Sequence, residues 1–404
     1  ELSQCKERLD AWFSDKEPEM LSMLERIVNM DSFTTDAQDV DQLGTVLTDW
    51  LREADFQTFM MPKTEAPADE PWQADLGHVF MAKTHGREAE PGIVFLGHMD
   101  TVFPKGTAQA RPFKIEGDRA TGPGVADMKA GVVANMFAAR ALKDLGLIDV
   151  PMTLMFSPDE ELGAPTATRV YRERISGARA VICAEPGFPD GGVTTERRGS
   201  GHFHMRISGI SAHAGRCYED GASAILELAH KIVALDAFVD AQAQTIVNTG
   251  LISGGNSANA VAPWADARIH ITFNTVDAAE RLVENVRAVA ARTFVPRTTT
   301  RISGGIRLHP LEYTADVETL FGMAERACAA MGGYTIRRNR ALGASEAGFT
   351  ASVLGIPSIC SMGPEGAELH SPSEYLSVDT VLPRCKMIAL TAIQAARAFP
   401  STRV

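Results

Sequence analysis

Two histidines and a group of carboxylates stand where apolar runs of this chain stop. Residues 93–97 lead into His98 and Asp100, and residues 153–157 lead into Asp159, Glu160 and Glu161 in "SPDEELG". Residues 180–184 lead into Glu185, and residues 356–361 lead through a Gly/Pro-rich loop to His370. Asp127 opens the helical pattern of residues 127–146. Singly, each has an ordinary reading as a turn residue, a solvated acid or a helix cap. Together they form a donor set rich in carboxylate, poor in imidazole and free of thiolate, which suits a pair of divalent ions: Zn²⁺, with Mn²⁺ or Co²⁺ as alternatives. One Zn²⁺ needs fewer ligands. The surplus implies that one acid bridges two ions and another stays free as a base.

Such a set converges only if the elements before each residue share a sheet edge. Short apolar strands are predicted at 79–83, 93–97, 153–157, 180–184 and 356–361, alternating with helical segments at 18–30, 40–54 and 127–146. That alternation implies an α/β fold with a mostly parallel, mixed sheet between helices, and such sheets bind ligands beyond the carboxyl ends of their strands. The middle of the chain follows another order. Strands at 201–208, 245–252, 265–273 and 298–303 and helices at 220–236 and 277–294 give β-α-β-β-α-β, an α+β ferredoxin-like unit. Asp277 and Glu280 suggest a capping box for the second helix. The expected organisation is a catalytic domain of residues 1–195 and 306–404 with an inserted domain of residues 196–305.

The 404 residues carry a formal net charge of −12, which argues against a nucleic-acid partner. No apolar run reaches the roughly 18 residues of a membrane span. The six cysteines contain no CxxC pair. A cytoplasmic location is therefore expected, the alternative being a periplasmic protein from which a signal peptide has been removed. "HFH" at His202 and His204 reads as a surface or packing feature rather than a third metal site.

The stretches "GHMDTVFPKG", "GPGVADMKAG", "FSPDEELGAP", "AEPG", "SGISAHAG", "NSANAVAP", "GASEAGFTA" and "GPEGAELHSPSEYL" occur in the order seen in the M20 metallopeptidases. The chain resembles that family, the aminoacylase-1 or acetylornithine deacetylase group, and is most similar to glutamate carboxypeptidases of the carboxypeptidase G2 type. The resemblance implies that His98 and Glu185 hold one metal, Glu161 and His370 the other, and Asp127 both. It implies that Asp100 orients His98, that Glu160 is the general base acting on a metal-bridged water, and that the Asp127–Met128 peptide is cis. A helix N-terminus at Asp127 would also favour an anionic ligand there. His213 resembles a family histidine that enters the partner subunit's active site, which implies a homodimer through the inserted domain.

For substrate binding the resemblance suggests Arg307, which could pair with a carboxylate, together with Asn259, Gly343 and Ser345. Two departures bear on the amino-acid preference. His270 to Thr272 stand where the glutamate carboxypeptidases carry an arginine in a strand reading "DVR", with Arg268 off register, and Glu346 replaces an aspartate. The expected activity is amide hydrolysis that releases a C-terminal or N-acylated amino acid, glutamate being one candidate. An N-acyl-amino-acid deacylase or deacetylase of the same family is the rival within the class. Outside it stands a metal-poor, non-catalytic binding protein, which the full set of site residues argues against.

Overall fold

The computed structural model describes residues 2–63, 65–86 and 92–400. The chain first lays down strands β1 (Gln57–Met60), β2 (Phe80–Lys83), β3 (Ile93–His98), β4 (Met152–Ser157) and β5 (Ala180–Cys183). It continues through β6 (Gly199–Ser208), β7 (Ile246–Gly254), β8 (Trp264–Phe273) and β9 (Thr299–Leu308), and returns to add β10 (Ser358–Ile359). The helices that matter most below are α1 (Ala130–Asp144), α2 (Ala224–Asp236), α3 (Val276–Ala291) and α4 (Val381–Ala398).

The residues divide into two compact units. The larger comprises the chain up to Glu196, Glu312–Ala341 and the chain from Ser345; the smaller comprises Arg197–Leu311 and Leu342–Ala344. The second crossing thus falls a few residues beyond the expected 306. β9 runs on to Leu308, and backbone hydrogen bonds pair Arg197 with Leu311 at 2.9 and 3.1 Å.

In the larger unit the sheet order is β1-β2-β4-β3-β5-β10. β4, β3, β5 and β10 are mutually parallel, and β2 joins antiparallel. Every residue of β3, β4 and β5 is buried, so these strands read as unbroken apolar runs rather than alternating ones. Helix α1 is buried along most of its length and shares one core with α4. Gly131 on α1 permits its close approach to β5, because a Cβ there would lie 1.8 Å from the Ala184 carbonyl. Parallel strands end at one edge, and that edge collects His98, the Asp159–Glu161 turn, Glu185 and the loop to His370.

Two predicted boundaries move. Helix α1 starts at Ala130, not Asp127, because Asp127 and Met128 have non-helical dihedrals and the peptide between them is cis. The strand predicted at 356–361 shrinks to Ser358–Ile359, since the chain turns away at Ser361, where φ is +56°. A further four-stranded sheet was not foreseen. It is built from Lys114–Glu116, Arg119–Thr121, Gly366–Ala367 and Tyr375–Ser377.

The smaller unit has the order β7-β8-β6-β9, with each neighbouring pair antiparallel. With α2 after β6 and α3 after β8, this is the ferredoxin-like arrangement. One sheet face supplies Phe203, Met205, Ile207, Ile269 and Ile271 to a core shared with Leu228 of α2 and Val286 of α3. Helix α3 is capped by Thr275, whose side chain accepts from the Ala278 amide, so Asp277 is not the cap.

Candidate metal centre

Asp127 lies at the middle of the strand-end cluster. Its Oδ1 is 3.2 Å from His98 Nε2 and its Oδ2 is 3.1 Å from His370 Nε2. Glu185 Oε1 lies 3.9 Å from His98 Nε2, and Glu161 Oε2 lies 3.2 Å from His370 Nε2. Two donor triads result, His98–Asp127–Glu185 and Asp127–Glu161–His370, each with ligand atoms within 4.8 Å of one another. They share Asp127, one carboxylate oxygen facing each imidazole. Glu160 lies beside them, grouped with His98 and Glu161.

The electrostatics say what this cluster lacks. Burial and then the Glu185 charge push the Glu160 carboxyl well above its usual range. Burial also raises Glu161, aided by the Asp127 charge. Burial would lower His98, but its hydrogen bonds to the Asp100 and Asp127 carboxylates outweigh that and hold it well above 6.5. Hydrogen bonds to Asp127 and Glu161 lift His370 to about 10. Burial opposes ionisation of Asp127, yet the two imidazoles keep its carboxyl below the ordinary value of 3.8. With protons as the only cations, the imidazoles carry positive charge among crowded acids. Divalent cations would relieve the same repulsion, and the oxygen-rich, imidazole-containing donor set fits them.

The scaffold around the cluster is specific. Asp100 Oδ1 accepts from the Glu160 amide and Oδ2 from the Glu161 amide, both at 3.2 Å, and Oδ2 also accepts from the Thr34 hydroxyl at 2.7 Å. His98 Nδ1 meets the Asp100 backbone oxygen at 2.9 Å and the carboxylate at 3.4 Å. Asp100 therefore fixes the Glu160–Glu161 turn as well as facing the ring. Asp159, which is in neither triad, accepts from the Thr166 amide at 2.6 Å and the Ala167 amide at 3.4 Å, which braces the same turn.

Sequence reasoning missed Glu374. It is fully buried and accepts from the amides of Gly124, Ala126 and Asp127 at 3.2, 2.8 and 3.0 Å. The amides expected to attract an anion at a helix start are thus already taken by this carboxylate. Burial raises its carboxyl to about 7. The one signal available was its place in "HSPSEYL", four residues after His370. His370 itself has φ +60° on the loop between Gly366–Ala367 and Tyr375–Ser377, and is half exposed.

The remaining predicted residues are not all together. Ser345 is buried in the larger unit with its hydroxyl 3.2 Å from Cys360 Sγ. His213, Asn259, Arg307 and Gly343 belong to the smaller unit. There the His213 backbone bridges to Ala260, and the Asn259 carbonyl accepts from the Ala214 amide at 3.0 Å, so His213 and Asn259 share one loop cluster. The His213 side chain does not cap α2, whose cap is Ser223. The Gly343 carbonyl accepts from Arg197 Nε at 2.9 Å.

The parallel strand edge of the larger unit carries two donor triads around one shared aspartate, a donor set that fits divalent metal ions. Residues 94–394 match the profile of peptidase family M20/M25/M40, and the chain belongs to that family. It is 26% identical over 380 residues to carboxypeptidase G2 of Pseudomonas sp. (strain RS-16), covering 93% of this chain and 89% of that one. It is 27% identical over 395 residues to succinyl-diaminopimelate desuccinylase of Gluconacetobacter diazotrophicus, covering 93% and 95%. Among solved structures, an M20 family metallo-carboxypeptidase from Sulfolobus solfataricus superposes with a TM-score of 0.71 at 14% identity, over 94% of this chain and 99% of that one. No helix among the described residues is long and apolar enough to cross a membrane.

Proposed function

We propose that the protein is a di-metal amidohydrolase of the carboxypeptidase kind, releasing a C-terminal or N-acylated amino acid. The observation that carries this reading is the pair of triads sharing Asp127, with a further buried acid, Glu160, beside them. His98, Asp127 and Glu185 would hold one divalent ion and Asp127, Glu161 and His370 the other, with Zn²⁺ the first candidate. When bound, the ions supply Lewis acidity toward the amide carbonyl and a lowered pKa for the attacking water. Glu160 takes the proton of that water and returns it to the leaving amine. Asp100 and Glu374 hold Glu160, Glu161 and Asp127 in place through their backbone amides. His213 donates to the oxyanion as it forms, with Asn259, Arg307, Gly343 and Ser345 as the substrate-binding set.

In this reading His213 acts across a homodimer formed through the smaller unit. In support, edge strand β7 exposes Leu251 and Ile252, and α2 exposes Ile225, Leu226 and Val233, an apolar surface that a second copy would cover. Val233→Glu with Leu251→Lys should give monomers by light scattering that still bind metal. Dimers in the double variant would place the interface elsewhere. The free cysteines fit a reducing compartment, and cell fractionation would check a cytoplasmic location.

A deacylase reading is favoured by the desuccinylase relative, which matches over 95% of its length. Both readings are tested by amino-acid release from a panel of dipeptides and N-acyl amino acids, with Zn²⁺ supplied. Release from peptides with acidic C-terminal residues would mean a glutamate carboxypeptidase-like enzyme. Release only from N-acyl amino acids would mean a deacylase. Silence across the panel, with no metal retained at saturating Zn²⁺, would leave the non-catalytic protein.

A further inference from the structure

Helix α4 buries Arg384 completely, beside Cys385, Met387 and Ile388. Its guanidinium serves loops rather than the helix. Nε donates to the Tyr334 hydroxyl at 2.7 Å and Nη1 to the Ser361 carbonyl at 3.1 Å. Nη2 donates to Glu365 Oε1 at 3.2 Å and to the Gly192 carbonyl at 3.4 Å. The Tyr334 hydroxyl in turn donates to Glu365 Oε1 at 2.5 Å. The guanidinium also packs against Gly187, where a Cβ would lie 2.7 Å from its Cζ and 2.8 Å from the Gly363 carbonyl. These are the segments that leave β5 and β10 for the metal centre. Residues 185–187 run beside residues 363–366. The Gly363 amide donates to the Glu185 carbonyl, the Gly187 amide to the Pro364 carbonyl and the Gly366 amide to the Gly187 carbonyl, each at 3.0 Å. Glu185 belongs to one donor triad, and His370 of the other follows Gly366–Ala367 by three residues. Glu365 is tied from its far side too, since its amide donates to Thr380 Oγ1 at 2.9 Å and its carbonyl accepts from the Ser377 amide at 2.8 Å.

We propose that Arg384 is a positioning residue for the metal centre, fixing through Glu365, Tyr334 and the Ser361 carbonyl how the Glu185 segment lies against the loop to His370. This rests on the di-metal reading above and adds to it a residue outside both triads. A buried guanidinium is costly unless its donors are matched, and an apolar side chain in α4 would serve core stability as well. An apolar side chain could not hold acceptors from three separate stretches of chain with one planar group. Both triads depend on that arrangement, because Glu185 and His370 arrive from different strands. Groups that orient metal ligands typically contribute about 10–100-fold to metal affinity.

The test is Zn²⁺ affinity, measured by competition with a chromogenic chelator, in wild type, Arg384→Lys, Tyr334→Phe and Cys385→Ala. Lysine keeps the charge but not the planar set of contacts, and should weaken Zn²⁺ binding about tenfold. Tyr334→Phe removes one hydroxyl from a half-buried site and should act in the same direction by about threefold. It decides the matter if the lysine variant does not fold. Cys385→Ala is the control for lost packing. It removes a buried thiol on the same helix, one that donates to the Ala134 carbonyl at 3.2 Å, and should lower stability without changing Zn²⁺ affinity. The visible spectrum of the Co²⁺-loaded protein should shift in the Arg384 and Tyr334 variants and stay unchanged in Cys385→Ala. Equal weakening by Cys385→Ala would overturn the assignment, since loss of packing alone would then suffice. Tight wild-type binding that Arg384→Lys and Tyr334→Phe leave unmoved would sink this inference alone. A wild type without Zn²⁺ affinity would sink the di-metal reading and this inference with it.

Discussion

Each unit buries charge, but in opposite ways. In the smaller unit Glu227 and Lys231 are fully buried on α2 with their charged groups 3.0 Å apart. Lys231 Nζ donates to the carbonyls of Val289 and Ala290 at 2.9 Å each and of Arg292 at 2.5 Å, closing the end of α3. Glu227 accepts from the Phe294 and Val295 amides at 2.8 and 2.6 Å. Burial resists its ionisation, but those amides and Lys231 hold the Glu227 carboxyl below its ordinary range. In the larger unit Glu160 and Glu161 sit among other acids and are pushed upward. The smaller unit's opposite charges, paired with each other and held by backbone groups, serve the fold. Like charges held together against their own repulsion serve a ligand that the chain does not itself provide.

The largest expected effect follows from that contrast. Glu160→Gln should lower kcat by about 10²–10⁴-fold, the range for a general base, while metal content stays at the wild-type level. Because it removes a charge from a crowded acid cluster, it should not destabilise the metal-free protein. Turnover near wild type would take the base role from Glu160, and a large loss of stability would break the contrast itself.

The converse holds for the satisfied pair. Lys231→Ala leaves a buried carboxylate without its cation and three carbonyls without their donor, and should cost about 3–5 kcal/mol in the smaller unit. The apolar replacement of both partners, Glu227→Leu with Lys231→Met, should cost clearly less. Denaturant unfolding measures both, and metal content should be unaffected. If the pair replacement costs as much as the single one, the charges themselves, rather than their being matched, stabilise this unit.

The two regions also differed in how far the sequence disclosed them. His98, Glu160, Glu161 and Glu185 could be found because a buried parallel strand is an apolar run and its end is abrupt. His202, Phe203, His204 and Met205 alternate because their strand has one wet face, so the smaller unit could be ordered from pattern alone. Glu374 left no such trace. It acts through backbone amides, and the strand after it, Tyr375–Ser377, is too short to show a period. Glu227 and Lys231 look like an ordinary surface pair at i and i+4, and only the packing of α2 against α3 makes them a buried one. The start of α1 was misplaced for a related reason. Apolar periodicity runs through Asp127 and Met128, and nothing in it signals that the chain there leaves helical geometry.

The smallest effect concerns Glu346, a buried acid outside both triads. It accepts from the Tyr171 hydroxyl at 2.7 Å, its other oxygen has no hydrogen-bond partner among the described residues, and burial lifts its carboxyl from 4.5 to about 7. Below pH 4.5 the folded and unfolded states both keep this proton, and the group has no effect on stability. Between 4.5 and about 7 the unfolded chain releases it first, so stability falls as pH rises, and above that range the loss is complete. Glu346→Gln keeps an acceptor for Tyr171 and removes the titration. Its stability relative to wild type should therefore rise across that window, by at most about 3 kcal/mol. Denaturant unfolding of chelator-treated wild type and variant at pH 5 and pH 8 would show it. A difference that does not change between the two pH values would mean that the carboxyl ionises at its ordinary pKa. Glu346 would then belong with the matched charges of the smaller unit, not with the crowded acids of the larger one.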